Sequence, residues 1–117
     1  MVRQYEAVFI MTPVLSEEQM KETVNKFEQI MLNNGCEIIH QENWGMKKLA
    51  YPIMKKSSGF YHLFEFKADG QFIRDFETQL KRDERIIRYL TVVLDKDAIE
   101  YNNRRRELKI SKNNEEK

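Results

Sequence analysis

At 117 residues, with 33% of side chains charged and 41% apolar, the chain fits one soluble domain with a modest core. A net charge of +1 excludes a uniformly basic protein, and the single cysteine excludes an internal disulfide framework and points to a reducing compartment. No apolar run approaches the roughly 18 residues that a membrane span needs, and MVRQYEAVFI lacks the apolar core of a signal peptide, so a cytoplasmic location and no membrane partner are expected. The charge is unevenly spread. Residues 1–43 carry three basic and seven acidic side chains, residues 44–67 five and one, and residues 68–117 twelve and eleven. A near-neutral chain with one concentrated basic segment is the asymmetry of a protein that grips a polyanion with part of its surface.

In chain order, residues 3–12 read as a strand, with Tyr5, Ala7, Phe9 and Met11 on one face and Val8 and Ile10 on the other. Apolar residues on both faces suit a central strand. Pro13 ends it, and Ser16 with Gln19 has the spacing of a capping box for a helix whose Met20, Val24, Phe27 and Met31 form one stripe. Asn34-Gly35 stops that helix. Residues 36–41 are extended, and Ser57-Ser58-Gly59 is read as the turn into an aromatic strand over 60–67. Asp69 can cap a second helix with Phe72, Ile73, Phe76 and Leu80 inward. Residues 83–85 turn into the β-branched strand 86–94. The order β-α-β-β-α-β predicts an α+β, ferredoxin-like fold: a four-stranded antiparallel sheet with both helices on one face. Residues 1–96 form this domain, and 97–117, rich in Asn, Arg, Lys and Glu, are expected to be a charged, disordered tail.

Function is legible mainly in ENWGMKKLAYPIMKKSSGFYHLFEF, residues 42–66, where cations interleave with aromatics and no acid falls between Glu42 and Glu65. Lysines can meet phosphates while rings offer stacking faces. The bland alternative is a hairpin whose lysines keep an exposed edge soluble. Topology weighs for the first, because it gathers Lys55, Lys56, Arg82, Arg85 and Arg88 at one end of the sheet. Catalysis has little to rest on. His40 and His62 sit alone in strands, no spacing suits a metal, Glu17-Glu18 lies in a helix first turn, and the four glycines are scattered. Neither a cofactor nor a small-molecule substrate is expected.

Tyr5-Glu6, Trp44-Gly45, the block Lys48-Leu49-Ala50-Tyr51-Pro52-Ile53, Gly59 with Tyr61, and Arg88-Tyr89 resemble the bacterial small-subunit ribosomal protein six family in order and spacing over residues 2–95. The resemblance implies a non-enzymatic ribosomal constituent that binds small-subunit (16S) rRNA together with small-subunit ribosomal protein eighteen. RNA-binding residues are expected to be Arg3, Lys48, Lys55, Lys56, Arg82, Arg85 and Arg88. The protein partner is expected on Trp44, Lys47, Leu49, Tyr51 and Ile53, since Pro52 confines this apolar segment to an edge or a protruding hairpin. The rival readings are an RNA-recognition motif, which shares the strand order but whose third-strand pattern wants a small residue where Tyr61 stands and an aromatic one where His62 stands, and a protein-interaction module of the same topology.

Overall fold

The computed structural model of the chain describes residues 1–53 and 55–115, with side chains through 108. Its elements are β1 (Val2–Met11), α1 (Glu17–Asn33), β2 (Glu37–Ile53), β3 (Lys56–Asp69), α2 (Gly70–Arg82), β4 (Ile86–Val93) and α3 (Lys96–Glu115). The strands form one antiparallel sheet in the order β2-β3-β1-β4, so the two-sided apolar β1 and the aromatic β3 are central as expected.

Period-two alternation sorts the sheet into two faces. Tyr5, Ala7, Phe9 and Met11 of β1 and Phe64, Phe66 and Ala68 of β3 turn to α1 and α2, which return Phe27, Met31, Phe72, Phe76 and Leu80. Phe9 lies between Phe27 and Phe64 with ring centroids 5.6 and 6.0 Å away, and Phe76 meets Phe27 and Phe66 edge-on. The helices start where their caps dictate: Ser16 Oγ accepts from the Gln19 amide while Gln19 returns to the Ser16 amide, and Asp69 accepts from the Gln71 amide. Gly35 follows α1 at φ 77°, the left-handed value that ends a helix without a Cβ penalty.

Two expectations are corrected. The turn of the β2–β3 hairpin lies between Ile53 and Lys56, with Lys55 at φ 65°, whereas Ser57-Ser58-Gly59 belongs to β3. The reason is that Gly59 serves close approach and not turning: a Cβ there would collide with the Ile10 side chain and lie 3.1 Å from the Met11 carbonyl. β2 consequently runs on through Lys47 to Ile53 as an edge strand, the one setting in which Pro52 leaves no ladder bond unmade.

The second correction concerns residues 97–117, which were expected to be a disordered tail; α3 is helical over Lys96–Glu115. It crosses the sheet face opposite α1 and α2. Asn102 Nδ2 donates to Glu6 of β1 at 3.2 Å and to Glu65 of β3 at 3.0 Å, and Arg106 Nη2 donates to Glu65 at 2.8 Å. Gln4 Nε2 completes the shell of Glu65 at 2.7 Å, and the carboxylate is 0% exposed. Burial pushes the Glu65 carboxyl up, but the bonds from Arg106, Asn102 and Gln4 and the charge of Arg106 outweigh it and leave it below its ordinary value. Polar contacts hold this helix down, so no apolar stripe announces it in the sequence.

Candidate nucleic-acid interface

The antiparallel register carries the ends of β1 and α2, the start of β4 and the β2–β3 hairpin to one end of the sheet. Lys55 is exposed at the hairpin turn, and Lys56 pairs with Ile53 just after it. Lys48, exposed, stands opposite Ser58. Arg82 is the exposed last residue of α2, and Arg88 is exposed on β4 opposite Ile10. Between α2 and β4 lies a cleft of about 740 Å³, rimmed by Lys81, Arg82 and Arg88 and floored by Leu80, Ile86 and Ile87. Among the described residues, Lys48, Lys55, Lys56, Arg82 and Arg88 form no ion pair. Five uncompensated cations at one end of a near-neutral protein make a local positive field suited to phosphates.

Two of the expected residues behave differently. Arg3 begins β1 opposite Ala68, at the other end of the sheet, and does not join this group. Arg85 is at the basic end but engaged: its Nε and Nη2 grip the two oxygens of Asp83 at 3.0 and 2.8 Å, and the Lys26 Nζ reaches Asp83 at 2.9 Å. The Arg85 fork, helped by Lys26, holds the buried Asp83 carboxyl far below the usual range, and Asp83 in turn raises Arg85. Sequence reasoning had read Asp83 only as a turn residue and passed over Lys26 and Lys81. Lys26 lies 57 positions from Asp83, and no local spacing signals the contact. Lys81 was visible as a basic residue in the last turn of α2.

The segment expected to hold the protein partner divides. Leu49 is 7% exposed, buried within this chain, and cannot serve as an open contact; Tyr51 is 77% exposed, and Ile53 is half-buried. Trp44 stacks on Tyr61 at 6.3 Å between centroids, Lys47 lies over the Trp44 ring at 4.9 Å, and the indole N–H donates to Glu42 at 2.7 Å. That bond, with His40 on the other oxygen, keeps Glu42 ionised and its pKa lowered. Both hairpin rings are thus tied to one another, while Tyr51 stands free beyond them.

An RNA-recognition motif would need its third-strand rings on the open face. Here Phe64 and Phe66 are core, Phe60 packs against it, and the opposite face of β3 offers as a ring only the half-buried Tyr61, since Leu63 and the carboxylate Glu65 are buried. His62 is also on the helix side, buried against Phe9 and Phe64. Cys36 is buried, which pushes its thiol up to about 11 and leaves it an inert small hydrophobe. Among the described residues no group of three His, Cys, Asp or Glu could hold a metal, and no helix is long and apolar enough to cross a membrane.

Comparisons with known proteins identify the family. The chain is 59% identical to small ribosomal subunit protein bS6 of Phocaeicola vulgatus over 111 residues, covering 95% of this chain and 97% of that protein. It is 56% identical over 105 residues to bS6 of Flavobacterium johnsoniae, covering 90% and 93%. The crystal structure of 30S ribosomal protein S6 from Thermotoga maritima superposes with a TM-score of 0.78 at 28% identity, covering 93% of this chain and 99% of that one. The family model described as ribosomal protein S6 matches residues 4–93. The chain therefore belongs to the ribosomal protein S6 family: it is a structural protein of the small ribosomal subunit and not an enzyme.

Proposed function

We propose that this small-subunit ribosomal protein binds 16S rRNA through the basic end of its sheet, and does so jointly with small-subunit ribosomal protein eighteen. The observation that carries the RNA assignment is the convergence of Lys55, Lys56, Arg82 and Arg88, drawn from the hairpin, α2 and β4 and without anionic partners among the described residues, beside the cleft between α2 and β4. Such contacts fix position on the phosphate backbone; discrimination comes from RNA shape and from the second protein. The RNA-binding unit is residues 1–96, with α3 an appended element on the far face of the sheet.

The partner is assigned to the outer part of the β2–β3 hairpin. Tyr51 is the anchor there, because it is a large ring, 77% exposed, on a projecting edge. Lys47 and Lys48 flank it. Edge strands of this length are normally blunted or used, and this one combines lysines with an exposed aromatic.

The test is titration of labelled small-subunit rRNA with this chain, at several salt concentrations, with and without protein eighteen. Joint binding should be tighter than binding by either protein alone, and affinity should fall log-linearly with salt. Binding no better than to an unrelated RNA, with or without the second protein, would overturn the assignment.

A further inference from the structure

Asp83 is a buried carboxylate at the basic end, where Lys81, Arg82, Arg88 and the exposed Glu84 line the same cleft. Its side chain is 4% exposed, and it is filled completely from two elements. Oδ1 accepts the Arg85 amide at 2.9 Å and Arg85 Nε at 3.0 Å; Oδ2 accepts Arg85 Nη2 at 2.8 Å and Lys26 Nζ, arriving from α1, at 2.9 Å. The surrounding backbone is fixed as well. The Asp83 amide donates to Gln79, its carbonyl accepts from Ile86 at 3.0 Å, and the Arg85 carbonyl accepts from the Thr12 amide at 2.8 Å, tying the turn to the end of β1.

The chemistry of the fork matters here. A guanidinium has five N–H groups, and Asp83 takes one from Nε and one from Nη2, leaving both hydrogens of Nη1 and one of Nη2. Arg85 remains 32% exposed and Lys26 41% exposed, so both cations face solvent from fixed positions. The triad keeps one net positive charge. An arginine held this way surrenders no rotamer freedom when it meets a phosphate, unlike the free side chains of Arg82 and Arg88.

We infer that Asp83 is a positioning residue for rRNA binding: it orients the Arg85 fork and the Lys26 ammonium as a preformed phosphate contact at the basic end. The inference rests on the RNA reading above and deepens it. It also makes a prediction of unusual sign. If charge alone mattered, Asp83→Asn would strengthen RNA binding by removing a negative group. Positioning requires the opposite, a loss of about two- to tenfold, because the fork and the ammonium become free to wander.

The experiment measures small-subunit rRNA affinity at several salt concentrations for the unaltered chain, Asp83→Asn, Arg85→Lys, Arg85→Ala and Asp83→Asn/Arg85→Ala, with folding checked by thermal melting. The expected result is weaker binding by Asp83→Asn, a loss in Arg85→Lys close to that in Arg85→Ala although the charge is kept, and no further loss when Asp83→Asn is added to Arg85→Ala. Equal or tighter binding by folded Asp83→Asn, or wild-type binding by Arg85→Lys, overturns the inference while the RNA reading stands. Should Asp83→Asn fail to fold, Arg85→Lys decides alone. Absence of salt-dependent rRNA binding by the unaltered chain overturns the RNA reading and this inference with it.

Discussion

Arg104-Arg105-Arg106 is the densest run of positive charge in the sequence, whereas Lys55, Lys56, Arg82 and Arg88 are scattered over two hairpin positions, a helix end and a strand. The structure reverses their standing. In α3, Arg104 is paired with Glu100 at 2.7 Å, Arg106 is bound to the fully buried Glu65, and Arg105 lies over the Tyr101 ring at 6.0 Å. At the basic end Lys55, Arg82 and Arg88 are exposed, Lys56 is half-buried, and all four are unpaired among the described residues. One arginine cluster closes the protein on itself; the other set is open to a polyanion. Positive charge becomes a binding surface where folding leaves it exposed and in excess of carboxylates, and proximity in sequence says little about that.

The sharpest way to break this comparison is at α3. Arg106→Ala leaves Glu65 buried beside an empty place, which costs about 3 kcal/mol if the helix stays. Because α3 presents Tyr101 and Leu108 to solvent and is anchored through polar groups, it can leave and let water reach Glu65. Hydrogen exchange should show protection lost over residues 96–108 and kept in β1 and β3. Loss of protection throughout the sheet would mean that α3 is part of the core.

Acidity separates the two faces by pH window. His62 is buried among Phe9 and Phe64, and burial holds its pKa down at about 4 against an ordinary 6.5. The unfolded chain therefore takes up a proton on this residue before the folded chain does. Stability should decline as pH falls from about 6.5 to about 4, by up to about 3 kcal/mol. Glu65 is shifted down from an ordinary 4.5, so its contribution is present above 4.5 and is lost only on further acidification. Urea denaturation at pH 7 and pH 5 measures the first effect, and His62→Leu should remove most of it. An unchanged pH dependence in that variant would relocate the titrating group.

A smaller contrast lies within the hairpin. Leu49→Ala removes a buried side chain and should cost about 2 kcal/mol, whereas Tyr51→Ala should change stability by less than about 0.5 kcal/mol and weaken the hold on protein eighteen. Thermal melts and a pull-down of both variants decide it. A Tyr51→Ala chain that melts early yet keeps its partner would place Tyr51 in the core and remove it from the interface.

Most of the fold was legible because local signals and burial agree. The capping box at Ser16, the Asp69 cap, the left-handed Gly35 and the two-sided β1 each named its element, and the topology then placed the basic end. The failures share a physical cause. β2 reads as ending at Gln41 even though Pro52 already points to an edge or a protruding hairpin, and Gly59 reads as a turn until Ile10 is known to lie against it. α3 was missed because it docks through Asn102 and Arg106, which look the same in a disordered tail. The site was legible as a set of cations but not as an arrangement. That Arg85 is clamped on Asp83, that Lys26 reaches Asp83 across 57 positions, and that Arg3 lies at the other end of the sheet are consequences of packing.

The central claim, that the basic end and not the arginine-rich helix meets rRNA, is tested most directly by comparing two single arginines. Binding of small-subunit rRNA, in the presence of protein eighteen, would be measured against salt for Arg88→Ala and Arg106→Ala. Each lost phosphate contact flattens the plot of log affinity against log salt by about one unit. The account predicts that flattening for Arg88→Ala, and a slope no flatter than that of the unaltered chain for Arg106→Ala. A flattened slope for Arg106→Ala together with an unchanged one for Arg88→Ala would contradict it.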